Sequence, residues 1–275
     1  MKLYIGTAGV PISSKKHDSI SGIKRVKELG LDLMELEFVR GVKAKPETAR
    51  KIGRMAKDHG VKLTVHAPYY INLNSGETEK IIASKKRILQ SARIGNEAGA
   101  NSVAIHPGYY GKDTPEQTYS TIKKHVADVI RILKKEKNSI KIAFETTGKN
   151  TAFGNIDELI KMASEVDQLE VCVDFAHLHA RSNGKYNTLE EIDSVFKKIK
   201  KDIGKYALEK LHIHISGIEY SEKGEKNHLN LKESDYNYKV LAKALKTNKV
   251  GGFLISESPN IEGDALLMKK TISSV

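Results

Sequence analysis

The 275 residues carry 46 Lys+Arg against 34 Asp+Glu, a formal charge of +12 with histidine neutral. A hydrophobic share of 39% beside 29% charged residues suffices for a core and excludes a wholly disordered polyelectrolyte. One cysteine, Cys172, excludes an intramolecular disulfide, and no run approaches the ~20 apolar residues of a membrane span. Met1-Lys-Leu-Tyr-Ile-Gly6 reaches glycine before a signal-peptide stretch can form. The expectation is a cytoplasmic protein with no membrane partner, whose excess positive charge directs attention to phosphate-bearing partners.

Along the chain a pattern recurs: a short aliphatic or β-branched run, a polar or Gly-containing loop, then a stretch of helical period. The runs are Leu3 to Ile5, Leu31 to Val39, Lys62 to His66, Ser102 to His106, Lys141 to Glu145, Glu170 to Asp174, Lys210 to Ile215 and Gly252 to Glu257. Between them, Lys45 to His59 opens with Lys-Pro-Glu and is closed by Gly60, signals of a helix start and stop. Thr114 to Lys137 begins Thr-Pro-Glu and keeps Ile122, Val126, Val129 and Leu133 near the helical period. Asn155 and Thr188 are candidate caps. Eight β-then-α units with no linker or composition break predict an α/β (β/α)8 TIM barrel occupying residues 1–275 as one domain. The competing doubly wound sheet needs a Gly-rich phosphate loop after its first strand, and Gly6-Thr-Ala-Gly9 is too short to serve.

Active sites of such barrels sit at the carboxyl ends of the strands. His66, His106 and His214 fall at the ends of the third, fourth and seventh runs, and His177 three residues beyond the sixth. Glu145, Asp174 and Glu257 end the fifth, sixth and eighth. Carboxylates and imidazoles gathered at one mouth repel or stay unpaired unless cations sit between them. Imidazole mixed with carboxylate, without thiolate, suits Zn²⁺, Mn²⁺ or Fe²⁺. Seven ligands exceed one tetrahedral ion, so two or more metals bridged by a carboxylate are expected, an arrangement suited to displacement at phosphorus.

His66-Ala-Pro-Tyr-Tyr-Ile-Asn-Leu73, His106-Pro-Gly108, Glu145-Thr-Thr-Gly148, Cys172-Val-Asp174-Phe-Ala-His177, His214-Ile-Ser-Gly217 and Glu257 together resemble, in order, the motifs of the endonuclease IV family, zinc-dependent apurinic/apyrimidinic endonucleases on a xylose-isomerase-like barrel. The resemblance implies one zinc on His66, His106 and bridging Glu145, and a second on Glu145, Asp174, His214 and Glu257. It implies a third on His177 with an Asp-x-His pair after the seventh strand. That loop here reads Glu222-Lys-Gly-Glu-Lys-Asn-His228 and lacks Asp-x-His. Either His228 supplies the imidazole with Glu225 in the aspartate's place, or His228 is an ordinary loop residue. In the implied reaction Glu145 and Glu257 are the catalytic carboxylates, flanking a metal-bridged hydroxide.

The other histidines have plainer expectations. His212 shares its orientation with His214 on a strand and is expected beneath it as a supporting partner, and His179 is expected to be structural. His17, His59 and His125 are expected to be solvated, and Cys172 to be a buried, inert thiol. Lysine runs late in the helices belong to the far face. On the active side Arg40, Lys43 and Lys45, Lys112, Lys149, and Arg181 with Lys185 form a candidate phosphate-tracking rim. Tyr69 occupies the motif's tyrosine and is a candidate for stacking on DNA, whereas Tyr70, Tyr109 and Tyr110 are expected to pack the rim.

The function expected from the sequence is hydrolysis of the DNA phosphodiester 5′ to an abasic site by a monomer with two or three Zn²⁺ ions, in base-excision repair, with double-stranded DNA as partner. The alternative is a metal-dependent sugar isomerase or epimerase of the same barrel superfamily, whose single-metal site resembles the quartet Glu145, Asp174, His214 and Glu257. His66 and His106 separate the two, because a second metal is superfluous for enolising a sugar.

Overall fold

Segments such as Ile142-Ala-Phe144 and Val171-Cys-Val173 are apolar on both faces, as befits parallel strands covered by helices outside and by one another across a barrel. The computed structural model, which describes residues 1–275, closes them into that barrel. In chain order the elements are β1 (Leu3–Ala8), α1 (Ser19–Glu28), β2 (Leu33–Glu37), α2 (Pro46–His59), β3 (Lys62–His66), α3 (Thr78–Glu97), β4 (Ser102–Ile105) and β5 (Gly108–Tyr109). Then come α4 (Pro115–Lys135), β6 (Lys141–Glu145), β7 (Ala152–Phe153), α5 (Ile156–Glu165), β8 (Leu169–Asp174), α6 (Phe175–Arg181), α7 (Leu189–Asp202) and α8 (Lys205–Glu209). The chain ends with β9 (Leu211–Ile215), β10 (Gly217–Ser221), β11 (Gly224–Leu229), α9 (Tyr238–Thr247), β12 (Gly252–Ser256) and α10 (Glu262–Ser274).

Around the barrel the order is β1, β12, β9, β8, β6, β4, β3, β2, every pairing parallel, so the fold is the expected (β/α)8 TIM barrel. Two of the strands match their sequence runs end to end, Lys62–His66 and Lys141–Glu145. The second is shorter than expected, because Leu31 N–H bonds to the Val26 carbonyl in closing α1 and Phe38 opens a turn that Gly41 N–H closes. His106 and Glu257 stand one residue beyond β4 and β12. Two small pairings were not expected: β5 with β7, and the β10–β11 hairpin after the seventh barrel strand.

Local chemistry fixes the helix starts. Thr114, Asn155 and Thr188 each close a capping box, with Gln117, Glu158 and Glu191 respectively, a device of about 1 kcal/mol apiece. Pro46 sits in the first turn of α2, and Gly60 ends that helix in the left-handed region at φ 65°.

The main apolar core lies between strands and helices. Inside the barrel, Tyr4, Leu33, Phe253 and Ile255 form one apolar group and Ala104, Ala143 and Cys172 another. The small side chains on β4, β6 and β8 leave interior volume for the large polar ones of β2 and β9, Glu35, His212 and His214, all buried. Gly6 is required where β1 meets β2, since a Cβ there would overlap the Leu33 carbonyl. Gly6→Ala is expected to cost more than about 3 kcal/mol, the upper end for overpacking, because backbone rather than a side chain must yield. The shift of the urea midpoint checks this.

Candidate metal centre

Barrel register delivers the ligand-type side chains to one end. His66, Glu145, Asp174 and His214 are the last or next-to-last residues of β3, β6, β8 and β9, and pairings Glu145 with Cys172 and Asp174 with His214 keep them level. Asp174 also caps α6: its Oδ1 accepts the His177 N–H at 2.7 Å, which sets His177 in the first helical turn beside it. Thr146 Oγ donates to the Asp174 carbonyl and accepts its N–H, locking the ends of β6 and β8 together.

Glu145 is the centre of the cluster and is wholly buried. Its Oε2 lies 3.1 Å from His66 Nε2 and 3.0 Å from His106 Nε2, and its Oε1 3.1 Å from His214 Nδ1 and 3.4 Å from His177 Nδ1. Burial pushes this carboxyl up, but attraction to His106 and His214 outweighs it and holds the group well below the usual range. His66, His106 and Glu145 form one group of mutually close donor atoms, and Glu145, Asp174, His214 and Glu257 a second that shares Glu145. Asp174 Oδ2 is buried without a hydrogen-bond partner, 3.4 Å from His177 Nδ1. His66 Nδ1 donates to the Ala67 carbonyl at 2.7 Å, which turns Nε2 inward toward Glu145.

A third group joins Asp174, His177 and His228. His177 Nδ1 is tied to the Thr146 carbonyl at 3.0 Å and His228 Nδ1 to the Glu257 carbonyl at 3.3 Å. Both Nε2 atoms thus face each other at 3.2 Å as acceptors, a contact that is repulsive unless a proton or a cation lies between them. Glu225 Oε2 is 3.5 Å from His177 Nε2 and Glu225 Oε1 3.9 Å from His228 Nε2. Residues three apart on a strand normally face opposite ways, yet Glu225 and His228 converge. The reason is a bulge: Asn227 pairs with Glu219 and Glu225 with Tyr220, leaving Lys226 as the extra residue. The hairpin is seated by Glu225 N–H bonding to the Gly148 carbonyl, where a side chain at Gly148 would strike Glu225. The structure brings His228 and Glu225 together beside His177.

Two site residues were missed from sequence, both on β2. Glu35, buried, lies 3.0 Å from His212 Nε2 and 2.9 Å from His214 Nε2; burial raises it, but the His214 and His212 charges carry it well below the usual range. Glu37 pairs across the sheet with His66, and burial pushes its carboxyl up to about 8. The signal was present in Glu35-Leu-Glu37: carboxylates at alternate positions of a barrel strand share one face, and that face is the interior. His212 occupies the expected place beneath the ligands, and Cys172 is buried beside it. His179 is structural as expected, held between the Lys185 carbonyl and Asp235.

A pocket of about 250 Å³ opens over these groups, lined by His66, Tyr69, His106, Lys149, His177 and Glu225 among others. Arg40, Lys43, Lys45 and Lys112 are on strand-end loops outside its lining. Arg181 departs from its expected phosphate role: Nη1 donates to the carbonyls of Lys149 and Ala152 and to Thr147 Oγ, so the guanidinium braces the 147–152 loop. The tyrosines also depart from expectation. Only Tyr110 packs, with its hydroxyl on Glu158, whereas Tyr70 and Tyr109 are 73% and 50% exposed and stand with Tyr69 at the rim. Of the remaining histidines His17 is exposed, but His59 and His125 are half-buried rather than solvated, and burial pushes His125 down.

The fold and its ligand-lined mouth define a class of α/β barrel with clustered carboxylates and imidazoles at the strand ends. Residues 23–273 match the xylose isomerase-like TIM barrel family, and the chain belongs to it. It is 42% identical to an uncharacterized protein of Methanocaldococcus jannaschii over 98% of this chain and 96% of that protein. A probable endonuclease 4 of Shouchella clausii is 28% identical over 78% of this chain and 77% of its own length. One of Geobacillus sp. is 30% identical, the match spanning 58% of this chain and about half, 54%, of that protein. Among solved structures, a D-tagatose 3-epimerase-like protein superposes with TM-score 0.72 at 19% identity, covering 98% and 96% of the two chains. Endonuclease IV of Thermus thermophilus superposes with TM-score 0.71 at 17% identity, covering 98% of both. These two similarities carry the fold.

The buried carboxylates draw protons onto the imidazoles beside them. Burial alone would lower His66, but its hydrogen bond to Glu145 and the charges of Glu145, Glu37 and Glu257 carry it up to about 10. Because this value lies above the ordinary ~6.5 of the unfolded chain, the stabilisation is complete below pH ~6.5 and is lost as pH rises toward about 10. Denaturant midpoints of chelator-treated protein are therefore expected to fall between pH 7 and 10; a flat profile would count against the proton-filled cluster.

Proposed function

We propose that this protein is a metal-dependent phosphodiesterase that incises DNA 5′ to abasic sites and leaves a 3′-hydroxyl. The observation that carries the reading is the pair His66 and His106, which converge on Glu145 Oε2 while His214 of the Glu145, Asp174, His214 and Glu257 quartet meets Oε1. One cation can serve the enolisation of a sugar, whereas a phosphate between two reacting oxygens is served by several. His66, His106 and Glu145 would hold one ion, the quartet a second, and His177, His228 and Glu225, with Asp174, a third. The all-N/O donor set suits Zn²⁺, with Mn²⁺ or Fe²⁺ as alternatives. Bound there, the ions would supply Lewis-acid stabilisation of charge on the phosphoryl group and acidify a water.

The chain's own residues do the rest. Buried Glu145 and pocket-lining Glu257 would hold the cations together by negative charge, and the carbonyl-anchored His66 and His177 would present Nε2 to them. Tyr69, Tyr70 and Tyr109 offer aromatic faces at the mouth to a disrupted base pair, and Lys149 sits at the pocket wall with Arg40, Lys43 and Lys112 on the surrounding loops to meet phosphates. An abasic nucleotide, lacking a base, enters such a pocket at low unstacking cost.

The second reading, epimerisation or isomerisation of a sugar, is favoured by Glu37, a strand-end carboxyl that none of the ligand groups includes. One experiment separates them. Purified protein loaded with Zn²⁺ or Mn²⁺ is offered a duplex with an abasic analogue, and in parallel a panel of ketoses. Incision with a 3′-hydroxyl product is expected, reduced about 100-fold or more in His66→Ala or His106→Ala. No incision at full metal occupancy, with turnover of a ketose, transfers the protein to the second class.

A further inference from the structure

Below the mouth lies a line of polar side chains that faces no solvent. Ser102, Glu35, His212 and His214 are each at most 2% exposed. Glu35 Oε1 is 2.9 Å from His214 Nε2, Glu35 Oε2 is 3.0 Å from His212 Nε2, and His212 Nδ1 is 2.9 Å from Ser102 Oγ. The other ring nitrogen of His214, Nδ1, looks up into the ligand cluster, 3.1 Å from Glu145 and 3.3 Å from Glu257.

For imidazoles that carry a single proton each, a buried carboxylate this close to both rings favours one placement of those protons. The Glu35 oxygens lie within ion-pair distance of both Nε2 atoms without closing an aligned hydrogen bond to either, and their negative charge favours hydrogen on each Nε2, the two nitrogens standing 3.1 Å apart. His212 then offers a bare Nδ1, to which the Ser102 hydroxyl donates. His214 offers a bare Nδ1 toward Glu145, Asp174 and Glu257, which is the tautomer a cation needs. Cys172 lies within ligand spacing of the two imidazoles, but their Nε2 atoms are already engaged by Glu35, so this trio is not a separate metal site.

We propose that Glu35 is the positioning residue of the metal centre: backed by His212 and Ser102, it fixes His214 with the proton on Nε2 and so sets the affinity of the ion shared by Glu145, Asp174, His214 and Glu257. The proposal rests on the metal-centre reading of those four residues and is independent of the substrate. A carboxylate behind a ligating imidazole typically changes metal affinity 10- to 100-fold. In Glu35→Gln the amide cannot accept from both rings, and His214 loses its enforced tautomer.

The test is zinc binding by chelator competition on the full chain, with ¹⁵N-imidazole NMR of the zinc-loaded protein. Glu35→Gln is expected to weaken the quartet's ion about 10- to 100-fold while the His66–His106 ion is retained, and Glu35→Asp to recover part of the loss. The wild-type spectrum is expected to give His214 a protonated Nε2 and a zinc-bound Nδ1, a result that holds even where Glu35→Gln does not fold. Unchanged zinc affinity in folded Glu35→Gln, or a zinc-bound Nε2 on His214, overturns the role of Glu35. A wild-type chain that takes up no zinc overturns the metal-centre reading itself, which separates the two failures.

Discussion

Everything at the open end of this barrel is organised by the negative charge of Glu145. A carboxylate removed from water at the end of a strand is tolerable only if positive charge or hydrogen-bond donors surround it, and four imidazoles, from His66, His106, His177 and His214, do so. Asp174 and Glu257 add further negative charge to the same small volume. The cluster is therefore electrostatically incomplete as side chains alone and requires protons or cations to close it.

The scaffold meets that demand with rigid elements close to the charge. Strand register keeps Asp174 level with His214, the cap of α6 holds His177 beside Asp174, and backbone carbonyls pin the outward nitrogens of His66, His177 and His228. Behind His214, Glu35 extends the network into the barrel axis, where small residues on β4, β6 and β8 make room for it. Loops contribute where strands do not reach: Arg181 braces the 147–152 segment, and the β10–β11 hairpin rests against it to bring Glu225 and His228 inward.

The barrel was legible because each unit repeats a local signal, an apolar run followed by a capped amphipathic helix, and parallel strands with crossover helices have few ways to close. The strand-end carboxylates and imidazoles were legible for the same reason: once a strand is placed, its last residue is placed. Glu35 and Glu37 escaped because a charged residue inside an apolar run reads as a strand edge, and only closure of the barrel turns that face inward. The tyrosines escaped because packing and exposure of a loop residue depend on neighbours far away in sequence; Tyr110 finds Glu158, while Tyr70 and Tyr109 have no such partner. Arg181 was misread because a guanidinium serves backbone carbonyls as readily as phosphates.

The sequence by itself determined the (β/α)8 architecture and which carboxylates and imidazoles stand at the strand ends, since both follow from periodicity and from order along the chain. Tertiary structure alone decided which of these side chains share an atom's surroundings. Glu225 and His228 meet only because a bulge at Lys226 turns two residues of opposite faces to one side. Glu35 reaches His214 only because β2 and β9, distant in sequence, face each other across the barrel interior. Both outcomes depend on distances across the closed sheet, and no local pattern encodes them.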